Sequence, residues 1–196
     1  MNHRALLTAG WLAMISAFVS IPLTYFSFRL DGKVDSLSTG IQIAIQIAGA
    51  LLFVAITLYL KKLLNTRFRF HDTDKNIDLM IVANVVASVV IVILLYFPHL
   101  KESLELAVLV VVVFQGLVQM NFGYKLLKLQ DDLDGMLKPF CYLNITTGVL
   151  IASIILIVVG VVVSAISDVM LGTIFFHMAK LVGEPDSGGA DTDPQS

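Results

Sequence analysis

Six aspartates and one histidine stand in two polar segments of this chain: His71, Asp72, Asp74 and Asp78 in the first, Asp131, Asp132 and Asp134 in the second. Carboxylates converging with an imidazole can hold a divalent cation. The spacing argues for a plainer role. Asp131 to Gly135 reads Asp-Asp-Leu-Asp-Gly, which lacks the alternating ligand series and the closing Glu of a calcium loop. Asp72, Asp74 and Asp78 stand where acids charge the start of an apolar helix, with Lys and Arg nearby to balance them. Neither a metal nor a cofactor is expected.

A second set lies inside apolar runs: Asn84, Gln119, Asn121, Asn144, Thr146 and His177. Polar side chains at membrane depth are functional pointers. These six are expected at one depth, where they would line a small cavity or pass a proton through His177. The plainer alternative is hydrogen bonding between helices, worth ~0.6–2 kcal/mol per contact. Asn144-Ile145-Thr146 has the pattern of a glycosylation acceptor, and its place in an apolar run excludes that use.

The elements that would position these groups are long apolar runs at 5–28, 40–60, 78–97, 104–123 and 140–182. Each meets or exceeds the ~20 residues a helix needs to cross ~30 Å of hydrocarbon. Hydrophobic residues make up 57% of the chain and charged ones 14%, and the mean hydropathy is +0.87. A soluble core of this size could not hide so much apolar surface. The fold class is therefore all-α integral membrane, a polytopic helical bundle. The last run is about twice one crossing, and its polar break is Gly160 to Asp168. Dividing it there predicts spans 140–161 and 165–181, with Ser164 as cap and Asp168 in the first turn at the positive end of the helix dipole. That makes six transmembrane helices. Because 165–181 reaches only ~26 Å, five spans plus a re-entrant or interfacial helix is the alternative. Residues 1–182 form one transmembrane domain, and 183–196, rich in Gly, Pro and Asp, is expected to be a disordered acidic cytoplasmic tail.

Six spans sort the basic residues. Arg4, Lys61, Lys62, Arg67, Arg69, Lys75, Lys125, Lys128, Lys138 and Lys180 fall on one side, and Arg29, Lys33 and Lys101 on the other. Lys and Arg accumulate on the cytoplasmic side, so both termini are expected there, with a bacterial-type plasma membrane favoured. In the link from Lys61 to Asp78, Arg67 and Arg69 alternate with Phe68 and Phe70, a pattern suited to anionic headgroups. In the link from Lys125 to Pro139, Leu126, Leu129, Leu133 and Met136 predict a short interfacial helix. The lipid bilayer is thus the first partner. Nucleic acid is excluded by a net charge of −2.

Small residues recur every fourth position at Ala9, Ala13 and Ala17 and at Gly40, Ala44 and Ala48, which suits close packing within the chain, self-association or a membrane partner protein. A faint internal repeat aligns the segment from Asn84 with that from Asn144. No nucleophile elbow, zinc-protease motif, phosphate loop or Cys/His ligand pair is present, so no enzymatic activity is expected. The leading expectation is a non-catalytic accessory, assembly or sensing component. A passive channel or small-solute transporter using the intramembrane polar groups is the alternative, and a lipid-modifying enzyme using the six cytoplasmic aspartates is the third.

Overall fold

The computed structural model describes residues 1–30, 36–129, 133 and 135–183. Lipid offers no partner for backbone amides, so apolar runs close their hydrogen bonds internally as helices. Among the described residues these are α1 (His3–Leu30), α2 (Ser36–Arg67), α3 (Asp74–Tyr96), α4 (Lys101–Leu126), α5 (Leu137–Ala152) and α6 (Ile157–Gly183), with a 3-10 turn at Pro98–Leu100. All but α5 are long and apolar enough to cross a membrane. Large apolar side chains such as Trp11, Phe18, Leu51, Val82 and Leu106 point outward, as lipid-facing surfaces do.

Each helix packs on its neighbours in sequence, and α6 returns to α1, so the six close into a ring. Cross-links give the directions. The His3 ring nitrogen Nδ1 lies 2.8 Å from the Ala179 carbonyl oxygen, Asn65 pairs with Asp74, and Lys125 donates to Asn76 at 2.7 Å. The start of α1 therefore meets the end of α6, and helices alternate in direction. Arg4, Lys61, Lys62, Lys75, Lys125, Lys138 and Lys180 accordingly sit at one end of the bundle, together with both described chain ends.

Two seams depend on glycine. A Cβ on Gly148 would lie 2.5 Å from the Gly116 carbonyl oxygen and 2.6 Å from the Met120 amide nitrogen, so α4 and α5 touch backbone to backbone. On the α1–α6 seam a Cβ on Gly172 would lie 3.2 Å from the Gly10 carbonyl oxygen. Ala9, Ala13 and Ala17 are buried, while Gly40, Ala44 and Ala48 face outward. Only the first small-residue strip is used within the chain.

The division of the last apolar run differs from expectation. The break falls at Ser153–Leu156, not at Gly160–Asp168, so α5 is short (16 residues) and α6 long (27 residues). Starting a helix at Ala165 would leave its unpaired amides deep in hydrocarbon. Extending it to Ile157 carries them ~12 Å towards the bundle end. Gly160 serves packing rather than turning, since a Cβ there would meet Ile151 Cγ1 at 3.2 Å. The turn itself takes Ile154 into the left-handed region at φ 62°.

The links also differ. Leu126 and Leu133 belong to the apolar core, with Leu129 and Met136 packed against it, so this apolar face folds into the protein instead of lying in the interface. Phe68 and Phe70 likewise rest on the core. Pro139 does fall in the first turn of α5, and Gly135 takes φ 82° just before it. The described core, from Leu6, Leu63 and Leu64 to Phe122, Phe140 and Phe175, is concentrated in the half of the bundle that holds the termini.

Candidate functional site

Midway along α6, Ser164, Ser167, Asp168 and Leu171 recur at three- and four-residue spacing and share one face. That face looks into the ring, where these side chains line a cavity of about 70 Å³. Opposite them stand Ser16 of α1, Thr57 of α2, Gln119 of α4 and Asn144 of α5. Ser16 Oγ donates to Asp168 Oδ2 at 2.8 Å. Asn144 Nδ2 donates to Ser167 Oγ at 3.1 Å and to the Phe140 carbonyl at 2.9 Å, and its Oδ1 accepts from Gln119 Nε2 at 3.4 Å. The aliphatic and aromatic floor includes Ile77, Met80, Phe122 and Phe140.

This overturns the expectation for Asp168. It is no helix-end charge but lies 11 residues inside α6, ~16 Å from that end at 1.5 Å per residue. Among the described residues that line its cavity there is no basic side chain. On α1 the ionisable groups are His3 and Arg4 towards one end and Tyr25 and Arg29 towards the other; on α6 they are His177 and Lys180. On α5 the Cys141 thiol lies within a turn, with Tyr142 exposed and Lys138 nearer the end. A carboxyl so placed can take up and release one proton. Among the described residues no three His, Cys, Asp or Glu side chains gather at a metal-sized site.

Of the polar groups expected to cluster, Gln119 and Asn144 meet. Asn121 and Thr146 are exposed on outer faces, and His177 is half-buried more than two turns from Asp168. Asn84 lines a different cavity of about 500 Å³, formed by α1, α2 and α3 in the half of the bundle away from the termini. Asn84 and Asn144 thus line different cavities. In the aspartate group, Asp74 accepts from Asn65 Nδ2 at 2.9 Å and approaches His71 Nδ1 at 3.1 Å, whereas Asp78 pairs with Lys61 at 2.5 Å and Asp72 is exposed. Asp131, Asp132 and Asp134 lie outside the described residues.

Ser16, Thr57, Ser164, Ser167 and Asp168 were not anticipated as one site. The available signal was an acid flanked by serines at helical spacing within a run free of proline. The apparent turn composition of Gly160 and Ser164 masked it. No protein-family profile, curated protein or solved structure matches the chain.

Proposed function

We propose that this chain is a multi-pass membrane protein that passes protons through its helix ring by way of Asp168. The observation that supports it most is that carboxyl, half-way along a lipid-length helix and on the wall of a hydroxyl- and amide-lined cavity. Intramembrane acids are costly to keep and mark ion or proton pathways. The cavity's size suits water-sized species, so it fits a proton relay rather than a bulky substrate. The basic residues gathered at the terminal end favour a cytoplasmic N-terminus.

The test is proton movement in liposomes that hold the purified chain and a pH-sensitive dye. Wild-type protein should dissipate an imposed pH gradient faster than empty liposomes, and Asp168→Asn should abolish the difference. Equal rates for the two proteins would end this reading.

The accessory or assembly role keeps support from the outward strip Gly40, Ala44 and Ala48, since a Cβ on Gly40 would meet nothing within 4 Å and smooth strips admit a neighbouring helix. Its test is the mass of the particle in mild detergent, where a monomer without partners argues against it.

A further inference from the structure

The cavity of about 500 Å³ stands one helical turn beyond the acid site on three helices. Ser20 follows Ser16 on α1, Asn84 follows Met80 on α3, and Ala50 precedes Phe53 on α2, the first-named of each pair lining the outer cavity and the second the central one. Ser16 is also the residue that donates to Asp168, so Ser20 brings the wall of the outer cavity within ~6 Å of that bond along α1. At its other limit the lining reaches Leu95, next to the last residue of α3, and Gln42, within two turns of the start of α2. The space therefore runs from the middle of the bundle towards the face away from the termini.

The polar groups on its walls suit water in both of its roles. Ser20 donates to the Ala17 carbonyl at 3.1 Å and Thr24 to the Ser20 carbonyl at 2.7 Å, which leaves each hydroxyl oxygen as an acceptor. Gln46 gives one Nε2 hydrogen to Ser88 Oγ at 3.0 Å and retains a second N–H and a carbonyl oxygen. Gln42 lines the space one turn further out on α2. Among the described residues of the lining none is charged. A cavity holds a water molecule when it offers ~10–15 Å³ and two to four polar partners, and this one exceeds both conditions. The terminal side differs. There the central cavity of about 70 Å³ is floored by Phe122 and Phe140, and Leu63, Ile174 and Phe175 continue the buried apolar core behind them.

We infer that the outer cavity is a water-filled vestibule through which protons reach Asp168 from the face away from the termini, while the apolar core forms the barrier on the terminal side. The vestibule's role in proton supply rests on the proton reading of Asp168; its filling with water does not. Protons pass along water only where each molecule both accepts and donates, and the hydroxyls and amides on α1 and α2 support that without fixing a charge in the path. Ser20 and Ser16, one turn apart, lead from the vestibule to the carboxyl.

The experiment measures how fast 2-(trimethylammonium)ethyl methanethiosulfonate, which needs water to reach its target, modifies single cysteines in the full chain in lipid nanodiscs after Cys141→Ser. The thiolate it attacks also forms only where water solvates it. Ser20→Cys should react at least tenfold faster than Phe18→Cys, which stands at a similar depth but faces lipid, and at least tenfold faster than Ile174→Cys in the terminal-side core. Thr24→Cys is the second vestibule position should Ser20→Cys not yield monodisperse protein. In liposomes, modification of Ser20→Cys should slow proton movement at least fivefold, and treatment of Phe18→Cys should not. A Ser20→Cys rate no higher than that of Phe18→Cys would mean a lipid-filled groove and overturn the vestibule. Equal rates at Ser20→Cys and Ile174→Cys would overturn the one-sided barrier, and unchanged proton movement after Ser20→Cys is modified would overturn the route. Proton movement lost in Asp168→Asn with Ser20→Cys unreactive would sink the vestibule alone; proton movement kept in Asp168→Asn with Ser20→Cys reactive would sink the proton reading and leave the water in place.

Discussion

Ser16 on α1 and Asp168 on α6 are 152 residues apart in sequence and joined by a 2.8 Å hydrogen bond at the centre of the bundle. The bond spans the seam that closes the ring, so the candidate proton site and the closure of the fold are one contact. Ser16→Ala should therefore touch both. The lost bond should lower stability by about 0.6 kcal/mol, the average for hydrogen bonds between membrane helices, and proton movement should change while remaining above empty liposomes. Unchanged proton movement in Ser16→Ala would separate the bond from function.

The α4–α5 seam should be intolerant of side chains. A Cβ at Gly148 would fall 2.5 Å from the Gly116 oxygen, so Gly148→Val must push two backbones apart. Overpacking of this kind costs about 1–3 kcal/mol. Gly40→Ala, with nothing within 4 Å, should be neutral within error. Thermal melting in one detergent compares the two, and equal loss in both would show that the seam is not as tight as described.

Ile154 carries a β-branched side chain at φ 62°, where an L-residue is disfavoured by about 1–2 kcal/mol. Ile154→Gly should raise the melting temperature because glycine adopts that backbone freely. A lower melting temperature would mean that the Ile154 side chain contributes more by packing than its backbone costs.

Orientation can be read by thiol labelling after Cys141→Ser. With both described ends at one face of the bundle and the basic residues gathered there, His99→Cys should label from outside intact cells with an impermeant reagent, and Thr66→Cys and Gly183→Cys should not. Labelling of Gly183→Cys together with His99→Cys would contradict an even number of crossings.

Membrane character and the approximate positions of the helices were legible in the sequence because bilayer thickness imposes a length and lipid removes every other backbone partner. The expected runs 5–28, 40–60, 78–97 and 104–123 sit within one residue of α1 to α4 or inside them. Arg4 and Lys180 share an end of the bundle with Lys61, Lys125 and Lys138, while Lys33 lies outside the described residues. What composition alone could not place was the break in the last run. Gly160 and Ser164 look like a turn on paper, yet Gly160 lets α6 approach Ile151 and Ser164 joins the cavity wall.

By itself, then, the sequence determined that this chain forms long apolar helices, because length and hydropathy are local properties that each segment carries alone. Which polar groups meet was decided only by the tertiary structure. Rotation of a helix about its axis depends on its neighbours, so Asn144 and Gln119 turn inward together, Asn121 and Thr146 turn away, and Asn84 faces a cavity a turn removed. Asp168 gained its place in the same way. Closure of the ring on α1 put Ser16 opposite it, and no pattern within α6 carries information about α1.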